Sequence, residues 1–230
     1  MIQINPNLDR SALAQRFHSQ GWVQIRDVLT IDSALAVQEM LVGTRWGLAW
    51  QVGPDGAHYE PADKIATMSR EGQAEILAKL NEAKTNAAAY SYAFSSHPLQ
   101  GSPHGELLEA LNGADFLDLI RAVTGDAEIV RVDGQATLYA PGHYLAAHDD
   151  HEKEVGRRLA YVLSMTKGEW RPEWGGYLNF FNDEGDIEAG IRPRFNTLNL
   201  FAVPRWHSVS QVLIDAPMAR YAVSGWGRGK

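Results

Sequence analysis

Apolar residues recur with two different periods along the chain, and the change comes close to Gly125. Before this glycine, apolar positions mostly lie three and four residues apart, which is typical of helices that pack by one face. Glycine follows several of these segments, as expected just after a helix. The pattern predicts helices at about 8–17, 32–42, 70–88, 106–111 and 114–123, strands at 22–25, 46–52 and 90–94, and an exposed Gly-, Pro- and Asp-rich loop at 53–63.

After Gly125 the apolar residues form short runs rich in β-branched and aromatic side chains, separated by Gly, Pro or Asp. Seven such strands at this spacing indicate a sandwich or a barrel. No repeat or Pro-rich linker divides the chain, so we expect one domain over 1–230, with a mostly helical support in 1–125 and the β core in 126–230. The predicted strands are 129–139, 144–149, 159–165, 177–181, 197–203, 207–214 and 220–226.

Composition narrows the classes of partner. Lys and Arg number 21 against 28 Asp and Glu, and the net charge of −7 opposes non-specific binding to nucleic acid or to an anionic membrane. We therefore expect no nucleic-acid partner. We also expect no membrane partner, because no apolar run approaches the roughly 20 residues of a membrane helix. The start of the chain lacks a basic segment followed by an apolar one, which favours a cytoplasmic location. The chain has no cysteine, so a metal must be held by His, Asp or Glu.

The densest group of polar residues within strand-like sequence is segment 139–154, which holds three of the eight histidines. Residues two apart on a strand share a face, so His148 and Asp150 present an imidazole and a carboxylate side by side. His207, at the start of a later strand, is the candidate third ligand. Two imidazoles and one carboxylate on one face of an octahedron suit non-haem Fe(II). A His-x-Asp in a polar turn is more often a solvated surface. Two other pairings overlap it, Asp149 with His151 and His143 with the same cluster.

Arg220 lies among apolar residues on the strand after His207. A charge in such a position is costly without an anionic partner, so the guanidinium is expected to bind an anion. A carboxylic acid that chelates the metal through its other end would fit. An ordinary salt bridge with Asp or Glu at the edge of the core explains Arg220 equally well.

In order along the chain come Tyr139-Ala-Pro-Gly, His148-x-Asp150, Gly175-Gly176 opening a strand, His207, and Arg220-Tyr-x-x-Ser-Gly-Trp226. Because these five elements occur in this order, residues 129–227 resemble the 2-oxoglutarate- and Fe(II)-dependent dioxygenases, and among them the prolyl 4-hydroxylase-like branch. The resemblance implies a mainly β fold, a double-stranded β-helix or cupin-like jelly roll with N-terminal helices packed on one sheet. The first half resembles the family only in layout.

The resemblance also implies the ligands. Fe(II) would be held by His148, Asp150 and His207, the far carboxylate of 2-oxoglutarate by Arg220, and Tyr139 matches a tyrosine that contacts the cosubstrate. O2 is the co-reactant, and ascorbate is an optional addition. Nucleic-acid dealkylases of this fold carry a second arginine six residues after the first, where this chain has Trp226.

The expected reaction is hydroxylation of an aliphatic carbon, with a prolyl residue of a protein or peptide ranked ahead of a free amino acid or small metabolite. A free amino acid would need a further cation for its carboxylate, and the available arginines are Arg157, Arg158, Arg192, Arg194 and Arg205. The alternatives of another class are a different metal-binding cupin-like protein and a non-catalytic jelly-roll module. Substrate choice is expected to rest on loops 53–63, 152–158 and 168–175. The oligomeric state is not predicted.

Overall fold

The computed structural model describes residues 2–54, 56–85, 91–151 and 156–229. Within them, most helices precede most strands, in line with the change of period near Gly125. The α-helices are α1 Arg10–Gln20, α2 Ile31–Val42, α3 Ala62–Thr67, α4 Arg70–Thr85, α5 Gly105–Leu111 and α6 Ala114–Thr124. The strands are β1 Trp22–Arg26, β2 Gly47–Val52, β3 His58–Glu60, β4 Ser91–Pro98, β5 Arg131–Val132, β6 Gln135–Tyr139, β7 Tyr144–His148, β8 Arg157–Ser164, β9 Leu178–Phe181, β10 Ile187–Ile191, β11 Thr197–Ala202, β12 His207–Val209 and β13 Arg220–Arg228.

All thirteen strands belong to one antiparallel sheet. Its hydrogen-bonded order is β1-β11-β8-β13-β6-β4-β7-β12-β9-β10, with β2, β3 and β5 paired beside this path. The path is curled, since strands from both of its halves line the same cavity. These are β8 and β13 from one half and β7, β9 and β12 from the other. This curled antiparallel sheet with flanking helices confirms the predicted mainly β, jelly-roll fold class.

The main core lies between the helices and one half of the sheet. It combines apolar residues of α1, α2, α5 and α6 with residues of β1, β8, β11 and β13. Helix α1 begins at Asp9, whose side chain accepts a hydrogen bond from the N–H of Ala12. Both α1 and α6 end at glycines with φ of 71°, Gly21 and Gly125, a conformation that costs little only without a side chain. These local signals explain why helix ends are readable from the sequence.

The first half supplies strands of the sheet as well as helices. Strand β4 pairs with both β6 and β7, so a strand from the first half joins the two halves of the curled sheet. The predicted loop 53–63 is wrong in part: residues 58–60 form β3, paired with β2, and helix α3 starts at Ala62. The stacking of Trp50 on His58, with 4.1 Å between ring centroids, helps to hold this hairpin.

The second half departs from prediction at three places. The expected strand 129–139 is divided at Asp133, whose carboxylate accepts hydrogen bonds from Trp226 N–H and from Arg228. Strand β10 was not predicted, because most of its residues are exposed and lack an apolar pattern. The expected strand 207–214 ends at Val209. Predicted positions 86–88, 90 and 152–155 lie outside the described residues, and no described helix has the length and apolarity to span a bilayer.

Candidate metal and cosubstrate site

Two neighbouring strands bring the three predicted metal ligands together. His148 ends β7, Asp150 follows two residues later, and His207 opens β12 directly opposite His148. One carboxylate oxygen of Asp150 lies 3.5 Å from Nε2 of His148, and the other lies 3.5 Å from Nε2 of His207. Among the described residues, this is the one group of three such side chains whose ligand atoms all lie within 4.8 Å.

Backbone carbonyls orient both imidazoles for metal binding. Nδ1 of His148 lies 2.9 Å from the carbonyl of Ala146, and Nδ1 of His207 lies 2.8 Å from that of Arg205. A carbonyl oxygen only accepts, so each Nδ1 carries the proton and each Nε2 keeps its lone pair free. A carbonyl that accepts from Nδ1 in this way is typical of metal-binding histidines. The residues present therefore fit a divalent cation.

Electrostatics favour the protonation states that a metal requires. Burial, together with the neighbouring His148, lowers the pKa of His207 to about 4, so this imidazole is neutral near pH 7. Burial alone raises the pKa of the Asp150 carboxyl. Its interactions with His148, His207 and Trp226 outweigh burial and hold the pKa below its usual value. A neutral imidazole and an ionised carboxylate are the ligand forms of these groups.

The predicted cosubstrate arginine is buried in the same cavity. Arg220 is 4% exposed, and its Nε and Nη1 have no hydrogen-bond partner among the described residues. Its guanidinium lies over the ring of Tyr139, 5.1 Å from the centroid, and burial lowers its pKa. No carboxylate forms a salt bridge with it in the described part of the chain, so the alternative of an ordinary ion pair is not observed. An unpartnered buried guanidinium indicates a site for an anion.

The cavity that contains the three ligands and Arg220 has a volume of about 460 Å³. Two residues with no assigned role in the sequence interpretation belong to it, Arg157 and Trp226. The Arg157 guanidinium stacks 3.7 Å over the Trp226 ring, and its Nη1 lies 3.9 Å from an Asp150 oxygen. The signals were present: Trp226 closes the Ser-Gly-Trp motif and Arg157 was one of five candidate cations. Aromatic residues of the first half, Tyr92 and Phe94, also line the cavity.

The rival residues lie elsewhere. His151 is exposed, and its N–H donates to a carboxylate oxygen of Asp149 rather than to Asp150. His143 lies in the turn before β7, where its Nδ1 faces the Leu138 carbonyl. Trp170 is a packing residue, 2% exposed, and its indole N–H donates to the Gly175 carbonyl.

Two glycines of the recognised motifs are explained by close packing of main chains. A Cβ at Gly175 would lie 2.0 Å from the Gln211 carbonyl oxygen, and its φ of 66° also disfavours a side chain. A Cβ at Gly225 would lie 2.0 Å from the Asp133 carbonyl oxygen. Only glycine permits these approaches beside β12 and β13, the strands that carry His207 and Arg220.

A curled antiparallel sheet holding a His-Asp-His group and a buried arginine defines the class of proteins that bind a metal and an acidic cosubstrate in a jelly roll. Comparison with known proteins supports this class. Residues 134–228 match the 2OG-Fe(II) oxygenase superfamily. This segment contains all five predicted site residues, so the match covers the whole candidate site.

The chain is similar to prolyl hydroxylases and other oxygenases. It is 28% identical over 175 residues to the prolyl 3-hydroxylase sudestada1 of Drosophila melanogaster, an alignment that covers 68% of this chain and 31% of the relative. The chain thus matches about a third of that protein. A Pseudomonas putida prolyl-4-hydroxylase structure superposes with a TM-score of 0.61 at 16% identity, covering 96% of this chain and 99% of that one. A Burkholderia pseudomallei 2OG-Fe(II) oxygenase family structure gives 0.63 at 11% identity, covering 99% and 95%.

Proposed function

We propose that this protein is a 2-oxoglutarate- and Fe(II)-dependent dioxygenase that hydroxylates a prolyl residue in a protein or peptide. The observation that carries the proposal is the buried, unpartnered guanidinium of Arg220 in the cavity of the His148, Asp150 and His207 group. A metal-binding module without an acidic cosubstrate has no use for this cation. Burying it without an anion costs free energy, which argues against a non-catalytic jelly roll.

His148, Asp150 and His207 would hold the metal, two through Nε2 and one through its carboxylate. Bound Fe(II) supplies the oxygen chemistry that couples decarboxylation of 2-oxoglutarate to hydroxylation of a substrate carbon. The chain itself contributes geometry and charge. The carbonyls of Ala146 and Arg205 fix the two imidazoles, so the ligands need little reorganisation when the metal binds.

Arg220 and Tyr139 would position the cosubstrate. The Arg220 guanidinium has two buried N–H groups available for a carboxylate, and Tyr139 covers its face. Burial also raises the pKa of Tyr139, so its hydroxyl stays protonated and able to donate. A carboxylate bound here exchanges water for charge-assisted hydrogen bonds in a dry environment, which strengthens them.

The charges around the cavity favour a peptidyl substrate over a free amino acid. Asp150 is the one carboxylate among the described residues that line the cavity, and the metal would use it. The ammonium group of a free amino acid therefore has no anionic partner there. A residue within a peptide carries no such charge, because its nitrogen and carboxyl belong to amides.

Arg157 and Trp226 offer a surface suited to an extended peptide. The stacked pair lies beside Asp150, and its aromatic ring offers an apolar surface for a pyrrolidine. The resemblance to sudestada1 and to the Pseudomonas putida enzyme, both described as prolyl hydroxylases, supports the same substrate class. Which proline carbon is oxidised is left to the assay. A cytoplasmic location is proposed on the sequence alone.

The test is turnover. The protein with Fe(II), 2-oxoglutarate and ascorbate is offered proline-containing peptides and free proline in parallel, while succinate and a gain of one oxygen are measured by mass spectrometry. We expect oxygenated peptide with matching succinate, and neither product with Asp150→Ala. Oxygenation of free proline without any peptide product would reverse the substrate ranking. Failure of every substrate to raise succinate formation above an Asp150→Ala background would count against the dioxygenase itself.

A further inference from the structure

A second groove lies between the two ends of the curled sheet, away from the residues of the metal site. It is lined by α1, by edge strand β1 and by residues of β10 and the segment after it, with a volume of about 770 Å³. Four arginines contribute to it, Arg16, Arg26, Arg192 and Arg194, and none of its lining residues is acidic. In a chain with a net charge of −7, such a concentration of positive charge is unusual.

The four arginines lack the counterions that neutralise other arginines nearby. None of them forms a salt bridge with any described residue, whereas Arg205 binds the carboxylate of Glu188. Asp27 and Glu169 border an adjoining depression but do not pair with them. Arg192 is held by a hydrogen bond from Nη1 to the Trp170 carbonyl, 3.2 Å long.

Neighbouring positive charges act on Arg194. Burial, followed by the charges of Arg192 and Arg26, lowers the pKa of Arg194. Arg26, Arg192 and Arg194 also border the same adjoining depression. Their guanidinium groups can therefore act together on one anionic ligand.

The groove also exposes main-chain hydrogen-bonding groups. Strand β1 pairs with β11 on one side and with no other described strand. Ala202 N–H donates to the Gly21 carbonyl, and alternate residues of an antiparallel strand face the same neighbour, so Val23 and Ile25 also face β11. The N–H and C=O groups of Trp22, Gln24 and Arg26 consequently point away from β11. An edge of this kind accepts an added strand.

Packed aromatic rings separate this groove from the candidate metal site. Trp22 lines the groove and contacts Phe180, Phe180 contacts Phe201, and Phe201 contacts His207, with centroid distances of 5.3, 5.1 and 4.7 Å. The arginine groove is thus a separate binding surface and does not share its lining residues with the metal cavity.

We propose that the arginine groove binds an extended acidic peptide segment of a partner protein, laid along the open edge of β1 with its carboxylates against Arg26, Arg192 and Arg194. Five residues of β1 at about 3.3 Å each offer a strand-length site of roughly 16 Å. A nucleic-acid strand would leave the open main-chain groups of β1 unpaired and would meet the negative charge of the rest of the chain. A small inorganic anion would use the arginines but not the strand edge.

The inference is independent of catalysis and is tested by binding. A fluorescein-labelled peptide of alternating Glu and Thr, about eight residues long, places its carboxylates on one face of a strand. Fluorescence anisotropy should show saturable binding that weakens with salt, and no binding of the matching Lys and Thr peptide. The double variant Arg26→Gln/Arg194→Gln should weaken binding roughly two- to thirtyfold, the combined effect of losing two partly exposed charge pairs.

A matched variant, Arg70→Gln/Arg131→Gln, removes the same charge from exposed positions on α4 and β5 and should bind as the unaltered protein does. Thermal unfolding of both variants checks that they fold. Methylating alternate peptide nitrogens should abolish binding, because it blocks strand pairing. The proposal is overturned if the Glu peptide does not bind, if the matched variant loses as much affinity, or if the methylated peptide binds equally. It is also overturned if single-stranded DNA binds more tightly and loses affinity in the groove variant.

Discussion

His207 lies directly across the β7–β12 pair from His148, with 4.2 Å between the centroids of the two imidazole rings. The two residues come from distant parts of the chain, so the register of this strand pair sets the distance between the candidate ligands. A shift of one residue would turn one imidazole to the opposite face of the sheet. Features that hold the register, such as the hydrogen bonds that join Val212 to Gly142 and His143, therefore act on the metal site from outside it.

Replacing either His207 or Asp150 by Ala should abolish stoichiometric binding of Co(II) or Mn(II), measured by calorimetry on protein first treated with EDTA. Each change removes one of three ligands whose atoms already converge. The control is His151→Ala, because this exposed residue contacts Asp149 and is not part of the group. If both ligand variants retained the metal, the assignment of the metal site would be wrong.

Arg220→Leu should leave the metal bound and weaken the binding of 2-oxoglutarate. The loss of a charge-assisted hydrogen bond of about 1.5–3 kcal/mol predicts a ten- to hundredfold rise in the apparent dissociation constant. The affinity of Arg220→Lys for 2-oxoglutarate should lie between those of the unaltered protein and of Arg220→Leu, since an ammonium does not bind a carboxylate through two parallel N–H groups. Titration of 2-oxoglutarate into the cobalt-loaded variants measures this, and an unchanged affinity in Arg220→Leu contradicts the assignment.

Trp226→Leu should raise KM for a proline-containing peptide more than it changes the binding of 2-oxoglutarate. The substitution removes the aromatic surface under Arg157 and keeps all three ligands and Arg220, while Asp150 loses its interaction with Trp226. A lost aromatic contact of about 0.5–1.5 kcal/mol predicts a two- to tenfold effect. Steady-state kinetics with each substrate varied in turn separates the two. Equal effects on both constants would show that Trp226 supports the whole cavity instead.

The stability of the metal-free protein should fall as the pH is lowered from about 6.5 towards 4. The pKa of His207 is about 4 in the folded protein and about 6.5 in an unfolded chain, so the unfolded chain takes up the proton first. The contribution is complete above the unfolded value and is lost as the pH falls through the folded one. Urea unfolding in EDTA, repeated at several pH values across this range, measures the free energy of unfolding. This free energy should depend less steeply on pH in His207→Gln than in the unaltered protein.

Gly225→Ala should destabilise the fold by about 1–3 kcal/mol, the range of overpacking changes in a filled interior. The added Cβ would lie 2.0 Å from the carbonyl oxygen of Asp133, so the main chains beside β13 must separate. Gly56→Ala is the control, since no atom lies within 4 Å of a Cβ at that position. Chemical denaturation of both variants gives the comparison, and similar stabilities would show that β13 tolerates the shift.

Local features of the sequence predicted most of the element types, because helix ends and strand periods depend on neighbouring residues. Gly21 and Gly125 end helices where the sequence places them. Strands β3 and β10 were missed, since their mostly exposed residues carry no apolar period. Pairing with β2 and with β9 stabilises these two strands, and such main-chain pairing leaves no apolar period in the strand itself.

The sequence by itself determined the mainly β class with flanking helices and brought His148, Asp150, His207, Arg220 and Tyr139 forward as one candidate site; their individual roles remain predictions. It could do so because residue type and order along a strand carry that information. Only the tertiary structure decided that Arg220 has no carboxylate partner among the described residues, that Arg157 stacks on Trp226, and that β4 bridges the sheet halves. Such relationships are set by packing between segments far apart in the chain, where the free energy of contact depends on the whole fold.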